Sequence, residues 1–187
     1  DKVIEAATRL PVQKRSVVLD SYEVGAQTWT PLFREKFIEK RGYDPVPWLP
    51  CLGKGETRKS GNSALGCLNP LGDIRIDSES RSQQFRQDYL LTIEDLVLEE
   101  NIAAIADLTH RHPGTRFVLQ PYNAPYNFVR GGQLADCVSG ELWHEKPDYG
   151  WWTLPLAASV GHITGNPIVA AEAFTATPSS ANGHALP

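Results

Sequence analysis

The chain has 187 residues, with 18 Lys and Arg against 22 Asp and Glu, a formal net charge of −4. That balance gives no electrostatic reason to expect nucleic acid or an anionic membrane as partner. Hydrophobic residues make up 41% and charged residues 21%, ordinary for a globular domain, and no apolar run approaches the ~18–20 residues of a membrane span.

Val3, Ile4, Ala7 and Leu10 recur at helical spacing until Pro11, which predicts a first helix over 1–10. Ser16-Val17-Val18-Leu19 predicts a strand at 16–20. Thr30-Pro31 has the form of a helix start, with threonine at the cap and proline at the first helical position. Phe33, Phe37 and Ile38 then supply an apolar stripe and Gly42 the stop. Tyr43 to Pro50 carries prolines at 45, 47 and 50 and predicts an ordered, turn-rich connection. Lys14-Arg15 and Lys40-Arg41 are expected as solvated charges.

Residues 52–79 lose hydrophobic periodicity and predict a long surface insertion. From about Ser80, Phe85, Tyr89, Ile93, Leu96 and Val97, then Ile102, Ile105 and Leu108, recur at three and four. The pattern is either one long helix or two broken near Asn101, and it stops at His112-Pro113-Gly114. His110 and His112 at that end suit a helix C-terminus. Strands are predicted at 116–120, 137–141 and 168–172, with a helix from Thr153 to Gly165 before the last. The Pro, Ser, Ala and Gly-rich stretch 177–187 is expected to be an irregular tail. Cys51, Cys67 and Cys137 form no Cys-x-x-Cys pair, which excludes an ordinary structural zinc site and a dense disulfide framework. Buried or loop thiols are expected, with a Cys51–Cys67 bridge as the alternative in an oxidising compartment.

Short apolar runs separated by helical patterns read as buried parallel strands joined by crossover helices, the α/β class. Three of the runs end on carboxylates: Asp20-Ser21-Tyr22-Glu23, Glu141 and Glu172. The fourth ends on Gln120-Pro121-Tyr122-Asn123. In a parallel α/β barrel all strand ends open to one mouth, where catalytic groups gather. Facing carboxylates across such a mouth are what glycosidic-bond hydrolysis requires. The apolar company of Glu23 and Glu172 suits them to proton transfer. Tyr122, Tyr126, Trp143, Trp151 and Trp152 offer either a platform for a sugar face or packing. Asp20 and Asp136 either supply hard oxygens to calcium or cap backbone amides in their turns. With four strands where a closed barrel has eight, no methionine, and a start at Asp1, the chain is expected to be a fragment, residues 1–176 forming part of a (β/α)8 barrel.

The segments Asp20 to Thr30, Arg41-Gly42-Tyr43-Asp44-Pro45, Trp48-Leu49-Pro50, Gly140-Glu141-Leu142-Trp143 and Ala171-Glu172-Ala173-Phe174-Thr175 together resemble glycoside hydrolase family 106, the α-L-rhamnosidases of plant cell-wall and glycan breakdown. The resemblance implies a (β/α)8 catalytic barrel within a larger multidomain enzyme, an inverting mechanism and dependence on calcium. By that resemblance Glu23 matches the general acid and Glu172 the general base. Glu141 matches a further active-site glutamate associated with substrate and the calcium region, with Asp20 as a second candidate ligand. Tyr122, Asn123 and Trp143 are the expected sugar-binding residues. The implied partners are a rhamnose-containing glycan or glycoside and the remaining domains of the same enzyme, outside the cell or in the periplasm. The stretch 52–79 is longer than the family's usual link into the long helix. Two alternatives stay open: a retaining β-glycosidase with Glu172 as nucleophile, and a non-catalytic carbohydrate-binding barrel fragment. All three glutamates are present, where a remnant without catalysis would be expected to have lost one.

Overall fold

The computed structural model describes residues 2–9, 14–23, 29–52, 74–143 and 150–175. Four strands, β1 (Arg15–Leu19), β2 (Thr115–Leu119), β3 (Cys137–Trp143) and β4 (Val169–Thr175), pair in parallel and lie in sequence order in one sheet. Parallel neighbours need long crossovers, and helices fill them. Helix α1 (Lys2–Thr8) precedes β1, and α2 (Phe33–Arg41), α3 (Glu79–Val97) and α4 (Ala104–His110) lie between β1 and β2. Helix α5 (Phe128–Gly132) precedes β3, and α6 (Thr153–Thr164) precedes β4. The arrangement is that of part of a barrel.

Register assigns the faces. Val17 pairs with Phe117 and Leu19 with Leu119; Leu119 pairs in turn with Val138. This face meets the helices: Phe117 and Leu119 pack with Leu98, Ile102 and Ala106, and Val138 packs with Ala157 and Val160 of α6. The opposite face carries Val18, 61% exposed, and ends in Glu141 paired with Glu172. From Cys137 to Glu141 every residue of β3 is buried, as for a strand covered on both faces.

A second core lies apart from the sheet. Phe33 and Phe37 of α2 meet Phe85, Tyr89 and Ile93 of α3, with Tyr43, Trp48 and Cys51 closing the cluster. The Arg41 to Pro45 segment builds it. Gly42 adopts φ +82° and ends α2, Tyr43 stands edge-on to Phe37 at 5.1 Å, and Asp44 takes two hydrogen bonds from Arg34 and one from the Val46 amide. Lys40 and Arg41 are not solvated charges. Arg41 is 19% exposed and binds Asp95 at 2.6 Å and Thr92 at 2.9 Å, while Lys40 holds Glu99. Arg41 finds its acceptors on α3 and Lys40 in the stretch just after it, so both charged ends have fixed partners.

Other boundaries also moved. Thr30 does not cap α2 through its side chain; its carbonyl accepts from the Phe33 amide at 3.0 Å, and the helix starts at Phe33 after a turn. Ser78, assigned to the insertion, caps α3 by accepting from the Arg81 amide. Arg86 gathers the two flanks of that stretch, donating to the carbonyls of Cys51 and Ile74. Residues 53–73, and with them Cys67, lie outside the described residues, as does the tail 176–187. Cys51 and Cys137 are free, buried thiols. The long helical pattern is neither one straight helix nor two separate ones: a π-helical stretch, Leu98–Ala103, joins α3 to α4 around Asn101. Helix α5 had no counterpart in the periodicity, being five residues long; Asn127 caps it by accepting from the amides of Val129 and Arg130.

At the other end of β3 from Glu141, Asp136 accepts from the Phe117 amide at 2.8 Å and bonds His110 at 2.8 Å. It therefore caps backbone rather than offering itself to a cation. Burial acts to raise its carboxyl, but the Phe117 amide and His110 outweigh it and hold it below the ordinary aspartate value. A depressed folded value means stability that is present above the unfolded pKa and is lost as pH falls through the folded one. Asp136→Ala is expected to destabilise the fold by ~1–3 kcal/mol at neutral pH, the cost of an unpaired amide. In denaturant titrations the gap between wild type and variant should narrow below about pH 4; a gap unchanged at low pH would contradict the assignment.

Candidate active site

Glu141 is a carboxylate at 6% exposure within a strand, a placement that is costly unless partners are supplied. The indole N–H of Trp143 donates to its Oε1. Its backbone amide donates to Thr153 Oγ1 at 2.7 Å, and that hydroxyl donates to the Gly150 carbonyl at 2.6 Å. Gly150 sits at φ +76°, and a Cβ there would stand 3.0 Å from Glu141 Oε2. The residue must therefore be glycine both for backbone sign and for room.

Glu172 is the register partner of Glu141 on β4. Both glutamates lie within their strands rather than at the ends, since β3 runs on to Trp143 and β4 to Thr175. Glu172 is half-buried and has polar company from another strand: Gln120 Nε2 donates to its Oε2 at 3.1 Å. Gln120 Oε1 accepts from the Tyr122 hydroxyl at 3.0 Å. Burial pushes the Tyr122 phenol far above its ordinary value, the nearby carboxylates of Glu141 and Glu172 push the same way, and Ser21 opposes them. Tyr122 is thus a neutral phenol facing both carboxylates.

Glu23 is exposed beyond the end of β1 and accepts from Ser21 Oγ at 3.2 Å. Ser21 also faces Tyr122, so a run of polar groups leads from Glu23 through Ser21, Tyr122 and Gln120 to Glu172. Asp20 accepts from the Ser21 amide at 2.8 Å, the capping reading. Asn123 lies beside Tyr122 in the left-handed region at φ 61°, which Asn tolerates. Trp152 stands edge-on to Tyr122 at 6.2 Å with 43% of its surface exposed, and Trp151 is 54% exposed. Tyr126 is not a platform: it is 7% exposed and packs in the helix-facing core, where a Cβ on Gly131 would run into its ring.

Gln120, Ser21, Thr153 and Gly150 were missing from the sequence-based site. The turn run after β2 pointed at Gln120, but an uncharged amide carried no chemical signal of its own. Among the described residues no three His, Cys, Asp or Glu side chains form a metal-holding group. Calcium takes six to eight oxygens, more than Glu141 and Asp20 supply by themselves.

A family model described as alpha-L-rhamnosidase matches residues 3–184. A protein of Formosa agariphila, provisionally named a beta-glucuronidase, is 31% identical over 159 residues, which are 84% of this chain and 12% of that protein. The solved structure of a rhamnosidase from Novosphingobium sp. PP1Y aligns with a TM-score of 0.63 at 27% identity, covering 86% of this chain and 14% of that one. The chain thus spans a small part of the length of either relative.

Thr153 is fully buried and supplies the partner of the Glu141 amide. Thr153→Val keeps the shape and leaves that amide unpaired, for an expected loss of ~1–3 kcal/mol in equilibrium unfolding. Thr153→Ser should recover most of it, and equal losses in the two variants would remove the hydroxyl from the account.

Proposed function

The chain belongs to glycoside hydrolase family 106, the alpha-L-rhamnosidase family, and on that premise we propose that it carries acid–base machinery for inverting hydrolysis of α-L-rhamnosides. Glu23 acts as general acid, giving its proton to the glycosidic oxygen as the aglycone leaves. Glu172 acts as general base, taking a proton from the water that attacks the opposite face of the sugar. An inverting site keeps its two carboxyls about 6.5–9.5 Å apart to admit that water, whereas a retaining site closes them to about 5–5.5 Å. Glu141, Tyr122, Asn123 and Trp143 hold the sugar, and the exposed face of Trp152 offers apolar area to its C–H side. The observation that carries the reading is the pairing of Glu141 with Glu172 on adjacent strands, with Tyr122 facing both and Ser21 leading from it to Glu23.

The solvent-facing position of Glu23 suits an acid that meets a departing group, and the half-buried position of Glu172 suits a base that works on an enclosed water. In the full-length protein, Glu23→Gln should cripple hydrolysis of glycosides with poor leaving groups and spare activated aryl rhamnosides, whose leaving group hardly needs a proton. Glu172→Gln should abolish both. Equal losses on the two substrates in the Glu23 variant, or a product of retained anomeric configuration, would overturn these roles.

The Formosa relative's name favours a second reading, in which the same carboxylates serve another glycoside, by retention with Glu172 as nucleophile. Aryl α-L-rhamnoside and aryl β-D-glucuronide assayed side by side separate the two.

Calcium enters as a property of the longer enzyme, with oxygens beyond those described here. Chelation should abolish hydrolysis and added calcium restore it; full activity after exhaustive chelation removes the ion.

A further inference from the structure

Gln120 is 5% exposed and stands between two groups of the site. Its Nε2 donates to Glu172 Oε2 at 3.1 Å, and its Oε1 accepts from the Tyr122 hydroxyl at 3.0 Å. Its backbone amide donates to the Leu19 carbonyl at 2.9 Å, so the residue is anchored where β1 and β2 end. A primary amide has a donor end and an acceptor end, and an ionised carboxylate only accepts. Turned the other way, the amide would set its oxygen against the carboxylate in a water-poor place, two acceptors face to face. The Tyr122 hydrogen bond selects the other orientation: the phenol gives its single proton to Oε1, and the N–H is then directed at Glu172.

We propose that Gln120, oriented by Tyr122, is a positioning residue for Glu172, holding its carboxylate in one rotamer. The proposal rests on Glu172 being the general base. Neither Glu172 nor its register partner can do this work alone. Glu141 faces Glu172 from β3, and two adjacent carboxylates repel each other. Tyr122, after β2, faces Glu172 too, but its proton goes to Gln120. The Gln120 amide is a neutral donor that acts against the repulsion.

The test uses the full-length protein and an aryl α-L-rhamnoside. Gln120→Leu keeps the volume and removes the donor. It should lower kcat on the order of 10–100-fold, the worth of one hydrogen bond to a charged group, with little change in KM. Gln120→Glu, nearly the same shape, puts an acceptor where Glu172 needs a donor; it should lower kcat at least as much, and it decides the matter should the leucine variant fail to fold. Tyr122→Phe should give a smaller loss in kcat, since the amide loses its orienting partner but not its place. A kcat unchanged in the Gln120 variants, or a loss confined to thermal stability or KM, overturns the proposal while leaving Glu172 as base. Activity retained in Glu172→Gln would bring down the base assignment and this inference with it.

Discussion

Glu141 sets the terms for the mouth of this sheet. A carboxylate enclosed to 6% exposure has lost most of its hydration, and the protein must return it as directed hydrogen bonds. The structure does so from two directions: the Trp143 indole from the same strand, and a Thr153 hydroxyl that holds the backbone of Glu141 against the turn at Gly150. Each supplier is placed by a different element. Helix α6 therefore starts where it does partly because Thr153 must reach β3, and the turn before it is a glycine because Glu141 fills the space a Cβ would take.

The same demand explains why uncharged polar residues surround the carboxylates. Glu141 and Glu172 are register partners, and the parallel ladder gives them no freedom to separate. Gln120, a neutral donor to Glu172, acts against the repulsion between them, and Tyr122 fixes the direction of its amide. Ser21 extends this neutral lining toward Glu23. The lining is built from the residues just after β1 and β2, where the chain leaves the ladder and its side chains turn into the mouth.

Away from the mouth, one of the segments that carry the family resemblance serves packing. Arg41 to Pro45 ends α2, turns the chain through a left-handed glycine and pins it to α3 through Tyr43–Asp88 and Arg41–Asp95. This aromatic core lies between β1 and β2 in the chain, and it sets the base from which α3 crosses back to the sheet. Its Arg41–Asp95 pair connects with Arg130 of α5 through the same aspartate, so the two helix-side cores share a charged joint.

Much of this was legible in the sequence. Periodicity placed the four strands to within a residue or so at their starts and the glycine stops of α2 and α6, because each is governed by neighbours along the chain. The three glutamates were legible too, since carboxylates after apolar runs stand out against the ordinary pattern. What escaped was everything that depends on side chains meeting across elements. Arg41 looked solvated because its acceptor Asp95 lies far along the chain. Tyr126 stayed open between sugar platform and packing because nothing local reveals that its ring faces the helices. Gln120 looked inert because an amide has no role until a phenol on one side and a carboxylate on the other give it a direction. The sequence by itself determined which strands form, their order and which residues could do acid–base chemistry, since those follow from local pattern and residue type. Only the tertiary structure decided that Glu141 is enclosed, that Glu172 is its neighbour and that Gln120 stands between Tyr122 and Glu172, because register and burial arise only when separate strands are brought side by side.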